Sequence, residues 1–394
     1  MYPLYPSTFK SEIDLRRNKI ADSLKSKGID AILICDNANL FYTSSRVFSG
    51  FTYITANGEE LFFVRRPVGL KGDCTVYIRK VENIAEELGK RGIAIPARLA
   101  VELDTTPYNE VKRYEAAFAG SEIVDGSAIM RAARAVKTDF EVEQLRKCGI
   151  RHTESYHRIN KVYREGMSDI ELQIEIERVL RLEGSLGQFR ISGRSMEIFM
   201  GNLLVGDNAD NPTPYDFAMG GAGLSSSLPV GSNGTLIKRG NSVMVDMCGN
   251  FNGYMTDMTR TFRCGEISDL AKQANQLSID ICHTLATEFH AGSRAADLYN
   301  KAMEMAAEVH LDDYFMGHAQ KAGFVGHGVG IEVNEMPVLA PRSKDILQYN
   351  NVIAIEPKFV IPGVGAVGIE NTYVVRETHL ECLTNFPEQI SELF

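Results

Sequence analysis

The sequence predicts a two-domain protein, with an α/β N-terminal domain over residues 1–135 and an α+β domain over residues 136–394. Two observations support this fold class. The chain has 394 residues, which is more than a single domain usually holds. Near residue 136 the pattern also changes, from short alternating helices and strands to long amphipathic helices followed by a strand-rich region. We therefore expect the second domain to be centred on sheets.

The elements of the first domain begin with a helical pattern at 16–27, which stops at Gly28 and is followed by an apolar strand at 30–36. Further strands are expected around a turn at Asn57-Gly58 and beyond it. The remaining predicted elements of this domain are strands at 50–54, 60–64, 74–78 and 99–103 and a helix at 81–91.

The second domain opens with helical patterns at 139–164 and 168–183, the latter with a capping box formed by Ser168 and Glu171. A stretch rich in Gly, Asn and Ser follows at 201–234. The remaining predicted elements are strands at 242–248 and 254–263, helices starting at Ser268 and Ser293, and a strand-rich end at 326–375.

Composition and charge exclude several classes of function. Lys and Arg number 42 against 51 Asp and Glu, and the net charge of −9 has the wrong sign for a nucleic-acid binder. No apolar run approaches the ~20 residues that cross a bilayer, and the N-terminus lacks the pattern of a signal peptide. The seven cysteines include no CxxC pair, unlike a disulfide framework. We expect a cytoplasmic protein with no membrane or nucleic-acid partner.

Two similar segments of the sequence predict an acidic site. The apolar run VMVD ends on Asp246 and is followed by Asp257-Met-Thr, while VIAIE ends on Glu356 and is followed by Glu370-Asn-Thr. Two β-hairpins that each carry two carboxylates would form a quasi-symmetric acidic cluster.

Four converging carboxylates repel one another, so a cluster of this kind normally encloses cations, and two divalent ions would balance it. The alternative is that these acids are solvated strand ends or partners of Arg260 and Lys358. We favour the ion site because acids within such apolar runs are expensive to bury unpaired. His327, in Gly-His-Gly-Val-Gly, is the natural fifth ligand, since its glycine neighbours leave the imidazole unobstructed.

These residues occur within VDMCGNFNGYMTDMTRTF, GHGVGIEVNEMP and IEPKFVIPGVGAVGIEN. Together they resemble the pita-bread metallohydrolases, namely prolidase, Xaa-Pro aminopeptidase, methionine aminopeptidase and creatinase. The first domain, including NLFYT at 39–43, resembles the creatinase N-terminal domain. The resemblance implies a pita-bread catalytic domain and a metallopeptidase that acts as a homodimer on a small peptide or small amide.

The resemblance also implies a role for each ligand. Asp246 would chelate one ion, Asp257 and Glu370 would bridge both, and His327 and Glu356 would hold the second, with Glu356 also catalytic. Oxygen-rich ligation with one imidazole suits Mn²⁺, Co²⁺, Fe²⁺ or Zn²⁺, with Mn²⁺ slightly ahead. Two such ions would deprotonate a shared water, and the bridging hydroxide would attack the scissile carbonyl.

This chain lacks three histidines that these families usually carry near the substrate. The corresponding positions are Leu228/Pro229, Gly323 and Asn334, and the usual Arg before the last glutamate is Gly368. Asn334 is a candidate catalytic residue that replaces its histidine as a hydrogen-bond donor. The glycine- and serine-rich loop at 219–227 is either a source of further donors or an ordinary flexible loop.

Three hypotheses follow. The first is a dimetal exopeptidase of Xaa-Pro dipeptidase or aminopeptidase type. The second, prompted by the missing histidines, is a related enzyme that cleaves a small non-peptide C–N or C–S bond. The third is a non-catalytic binding protein, which the complete ligand set argues against.

Overall fold

The structure is a computed structural model that describes residues 2–3, 9–193 and 196–393. The chain divides into two compact units, the first ending at Arg134 and the second beginning at Ala135. Within the described residues, no helix is both long enough and apolar enough to cross a membrane.

The first unit is built on a six-stranded mixed sheet with helices against it. Its helices are α1 (Lys10–Ser26), α2 (Asn37–Ser44), α3 (Ile84–Lys90), α4 (Tyr108–Ala117) and α5 (Ser127–Ala135). Its strands are β1 (Tyr2–Pro3), β2 (Ala31–Ile34), β3 (Ser49–Thr55), β4 (Glu60–Arg66), β5 (Leu70–Lys71), β6 (Thr75–Tyr77), β7 (Arg98–Val101) and β8 (Glu122–Asp125). The sheet order is β6-β4-β3-β2-β7-β8, which confirms the predicted strands and the β3–β4 turn.

The second unit combines helices with three sheets. Its helices are α6 (Asp139–Tyr156), α7 (Ile159–Val162), α8 (Asp169–Leu182), α9 (Asp269–Glu288) and α10 (Ala295–Glu308). Its strands are β9 (Gly201–Val205), β10 (Ser242–Asn250), β11 (Met255–Arg263), β12 (Gly326–Gly328), β13 (Glu335–Val338), β14 (Val352–Ile355), β15 (Lys358–Ile361), β16 (Gly365–Gly368), β17 (Asn371–Val375), β18 (Leu380–Cys382) and β19 (Ser391–Glu392).

Two of these sheets supply the site residues, and each is backed by helices. One sheet has the order β19-β11-β10-β9 and packs its apolar side chains with those of α8 in one buried cluster. The other has the order β13-β12-β14-β17-β18 and shares a second cluster with α9 and α10. The acidic residues at the ends and centres of these strands are therefore held on rigid elements.

Two elements differ from the prediction. The helix predicted over 139–164 breaks after Tyr156, whose hydroxyl donates to Met258 O at 2.5 Å and accepts from Met247 N at 3.1 Å. This tertiary anchoring on the sheet overrides the local helical pattern. Strand β9 was missed because it lies in the stretch rich in Gly, Asn and Ser, although it pairs along β10. The capping box of Ser168 and Glu171 is confirmed.

Candidate metal centre

The first pair of carboxylates lies on the β10–β11 hairpin, as predicted. Asp246 stands opposite Thr259, and Asp257 stands opposite Cys248. Val245 and Met247 are buried in the cluster beneath α8, and because strand side chains alternate, Asp246 faces the opposite side. Both acids line the same cavity.

The second pair lies on β14 and β17, which are antiparallel neighbours. Glu356 directly follows β14 and Glu370 directly precedes β17. The prediction of a simple second hairpin is wrong, because the residues between the two acids form a separate antiparallel pair, β15–β16. The two acids nevertheless meet, because Ile355 and Asn371 are paired across the strands.

The two acid-x-Thr segments are hydrogen-bonded to each other. In each segment, the threonine hydroxyl binds the acidic residue of the other segment. Thr259 Oγ1 donates to Glu370 Oε2 at 2.8 Å. Thr372 Oγ1 accepts from Asp257 N and donates to Asp257 O, both at 2.8 Å. The two segments are further joined by backbone hydrogen bonds between Thr259 and Glu370. We call these contacts of Thr259 and Thr372 the reciprocal threonine clasp. They join the two sheets at the site.

His327 enters the cluster from β12. Its Nε2 lies 3.5 Å from Glu356 Oε1 and 4.0 Å from Asp257 Oδ2. Its Nδ1 lies 3.0 Å from Gly328 O, so a proton on Nδ1 leaves the Nε2 lone pair facing the acids. The flanking glycines are required, since a Cβ on Gly326 would lie 2.1 Å from Ala354 O.

Three of the predicted ligands form a compact donor set. Asp257, His327 and Glu370 each offer an atom, and these atoms lie within 4.8 Å of one another. Glu370 Oε1 is buried and has no hydrogen-bond partner among the described residues, a costly state unless a cation completes it. Two carboxylates and one imidazole suit a divalent transition-metal ion. The residues therefore fit one such ion, while the predicted five-ligand, two-ion set stays a prediction.

Lys358 is a member of the cluster that the ion hypothesis did not include. Its Nζ donates to Asp246 Oδ2 and Glu356 Oε2 at 2.8 Å and to Glu370 Oε2 at 3.0 Å. Its side chain is 0% exposed. Arg260, the other suggested partner, instead binds backbone carbonyls and the Asn371 side chain.

Burial and mutual repulsion disturb the ionisation of the cluster. Burial, with Glu370 and Asp246 close by, raises the pKa of Asp257 well above its usual value. Burial and the Glu356 carboxylate raise the pKa of Glu370 to about 8, although Lys358 opposes this shift. Burial alone would lower the pKa of Lys358, but the surrounding carboxylates raise it well above its usual value. Positive charge at this site is therefore strongly stabilised by the surrounding carboxylates.

The cluster lies in a cavity of about 180 Å³. Its described lining combines acids with apolar side chains, including Phe189, Ile191, Phe217 and Phe324. A cavity of this kind suits a small ligand with an apolar body.

Of the positions where histidines were expected, Asn334 is the one that lines the described cavity. Its Oδ1 accepts from Ser192 N and its Nδ2 donates to Ser192 O, each at 2.7 Å. The loop that carries Asn334 is ordered by Glu335, whose Oε1 accepts from the backbone N–H groups of Ile331 and Glu332. The role of Asn334 as a donor to substrate stays a prediction, because one N–H of its side-chain amide already donates to Ser192 O.

The comparison with known proteins agrees with this architecture. Residues 143–377 match metallopeptidase family M24, and residues 16–136 match the creatinase/prolidase N-terminal domain. The chain is 24% identical over 381 residues to an Xaa-Pro dipeptidase of Pyrococcus horikoshii. The aligned region covers 94% of this chain and 97% of the relative.

Two solved structures share the fold, each with a TM-score of 0.77. One is an X-Pro aminopeptidase from Thermotoga maritima, 21% identical, covering 95% of this chain and 99% of the other. The second is an Xaa-Pro dipeptidase from Bacillus anthracis, 24% identical, covering 96% of this chain and 99% of the other.

The fold and the family match define a metal-dependent hydrolase with two domains. The chain belongs to metallopeptidase family M24 and carries a creatinase/prolidase N-terminal domain. The predicted family resemblance and fold class are thereby confirmed.

Proposed function

We propose that this chain is a metal-dependent exopeptidase that cleaves short peptides at an Xaa-Pro bond. The observation that carries the proposal is the donor set of Asp257, His327 and Glu370 in an acidic, partly apolar cavity. The relatives named as Xaa-Pro peptidases support the same substrate class.

Each residue of the cluster has a distinct part in this proposal. Asp257, His327 and Glu370 would hold a divalent ion, which when bound polarises a carbonyl and makes water more acidic. Glu356 Oε2 accepts from Lys358, so Glu356 Oε1 is the atom placed to take a proton from water and return it to the leaving nitrogen. The remaining amide N–H of Asn334 is the proposed donor to the substrate.

The cavity also suggests which end of a peptide enters it. Its described lining includes the carboxylate of Asp216 besides the acids of the cluster, with His327 as its basic side chain. A negative cavity favours a substrate with a free ammonium group, as at a peptide N-terminus.

Three finer points also belong to the proposal. We take Mn²⁺ ahead of Co²⁺, Fe²⁺ and Zn²⁺ because carboxylate oxygens dominate the donor set. A cytoplasmic location is proposed because all seven cysteines are free thiols. The proposed homodimer rests on the resemblance to two-domain relatives.

The test is a substrate panel with the metal-loaded full chain. Xaa-Pro dipeptides and longer peptides with proline second are compared with matched peptides that carry alanine instead. We expect cleavage of the proline peptides that depends on added metal and is lost in Glu356→Gln. Small non-peptide amides complete the panel, because the residues at Leu228/Pro229 and Gly323 supply no imidazole. Absence of Xaa-Pro cleavage by a loaded enzyme would overturn the proposal.

A further inference from the structure

We propose that the ammonium group of Lys358 permanently occupies one of the two cation positions of the acidic cluster, so that the chain binds a single divalent ion. The proposal rests on the metal site described above but not on peptide hydrolysis. Its basis is the geometry around Nζ and the number of oxygens that remain for an ion.

The hydrogen bonds of Lys358 are saturated. An ammonium group has three N–H donors, and each one reaches a different carboxylate, at 2.8, 2.8 and 3.0 Å. The side chain is completely buried, so no water competes for these donors. A cation held by three acids from two different sheets is placed as a metal ion would be.

The backbone brings Lys358 to this position. Lys358 and Glu356 are two residues apart, and Lys358 is paired with Gly368 across the β15–β16 hairpin. A Cβ on Gly368, where φ is +140°, would lie 3.0 Å from the Lys358 Cα and 2.7 Å from Pro357 O. Lys358 O also accepts from Met316 N at 2.8 Å. The strand is therefore fixed on both sides.

The oxygens bound by Lys358 are not available to a second ion. Asp246, Glu356 and Glu370 each give one oxygen to Nζ, and a second divalent ion on these oxygens would lie beside the buried ammonium and be repelled by it. Glu370 Oε2 also accepts from Thr259, which leaves Oε1 for metal. Asp257, His327 and Glu370 Oε1 can thus bind an ion beside the lysine.

The experiment counts Mn²⁺ ions per chain after equilibrium dialysis of the full protein against saturating Mn²⁺. We expect one ion in the wild type and two in Lys358→Ala, which removes the ammonium and opens its volume. The matched control is Lys272→Ala, an exposed lysine that pairs with Glu266 on the surface, and it should bind one ion.

Two ions in the wild type would overturn the inference, as would one ion in both the wild type and a folded Lys358→Ala. If that variant does not fold, the Mn²⁺ electron paramagnetic resonance of the wild type decides. We expect the spectrum of an isolated ion, and the spectrum of an exchange-coupled pair would overturn the inference. Failure to cleave Xaa-Pro peptides would count against the proposed function alone, since ion counting does not depend on turnover.

Discussion

Asp257 is the residue on which the ion site depends most, because it belongs to the compact donor set and is itself buried. We predict that Asp257→Asn, which keeps the size and removes the charge, weakens Mn²⁺ binding by at least on the order of 100-fold, since loss of supporting partners alone costs 10–100-fold. Isothermal titration calorimetry measures the affinity. Asp216→Asn, a carboxylate of the same cavity outside the donor set, should bind the ion like the wild type. Equal affinities in the Asp257 variant and the wild type would contradict the assignment.

At the residue scale, the sequence located the candidate ligands but not the lysine that balances their charge. The four acids were located by their order and apolar flanks and His327 by its glycine neighbours, and the structure brings all five to one cavity. Lys358 had a signal of its own, since alternate residues of an extended segment share a side and Glu356 is two residues away. Ions were nevertheless favoured over pairing with Lys358, because acids within such apolar runs are expensive to bury unpaired.

At the scale of the elements, the reciprocal threonine clasp couples the two sheets. We predict that Thr372→Val, which is nearly isosteric, lowers the free energy of unfolding by roughly 1–3 kcal/mol, because the buried N–H of Asp257 loses its acceptor. Urea denaturation of the metal-free protein gives the value. The control is Thr287→Val, whose exposed hydroxyl binds only its own helix. A loss no larger than in the control would mean that the clasp contributes nothing.

The loop that carries Asn334 forms one wall of the cavity by binding the segment at 189–192. We predict that Asn334→Ala raises the KM for a cleaved peptide roughly tenfold, because two hydrogen bonds to Ser192 are lost and the wall loosens. The Mn²⁺ content should stay the same, since Asn334 is not in the donor set. Steady-state kinetics with parallel metal analysis tests this, and an unchanged KM would refute it.

The packing of α6 on the β10–β11 hairpin buries a neutral histidine. His152 lies 3.1 Å from Thr256 Oγ1, and burial, with Arg260 nearby, lowers the pKa of His152 to about 3. Below pH about 6.5 the unfolded chain binds a proton here that the folded chain refuses, so stability falls as pH falls.

We therefore predict that the wild type loses roughly 1.4 kcal/mol more stability per pH unit than His152→Gln between pH about 6 and about 4. Urea denaturation at a series of pH values provides both curves. Above pH about 7 the two curves should run parallel, because His152 is then neutral in both states. Parallel curves over the whole range would show that His152 does not titrate on unfolding.

The elements were predictable where a local pattern governed them. Helix α8 was identified by its capping box, and the β10–β11 hairpin by an apolar run that ends on an acid and a returning strand that carries a second acid. Strand β9 was missed because pairing with β10, which is distant in the chain, specifies it, and such pairing leaves little local signal. The β15–β16 hairpin lies within the predicted strand-rich end at 326–375, but it was not predicted as a separate pair of strands.

For the whole molecule, ion binding and folding are linked. We predict that exhaustive chelation lowers the thermal midpoint on the order of 5–10 °C relative to protein with Mn²⁺ at about 100 times its Kd, because an ion bound only to the folded state stabilises it. The metal-free chain should still unfold cooperatively, since Lys358 keeps three acids paired. Differential scanning calorimetry with verified metal loss measures both, and an unchanged midpoint would contradict the linkage.

Lys358 is covalently part of the chain, and this affects how the protein responds to changes in metal concentration. A dissociable ion leaves when its free concentration drops, whereas a group joined to the chain has an effective concentration that dilution and chelators cannot change. Competing metals likewise act on the open position and not on the ammonium. Activity should therefore follow the free concentration of the ion as simple single-site saturation, without a threshold from a second binding step. When the ion is scarce, the folded metal-free chain would persist, and binding of one ion would restore its activity.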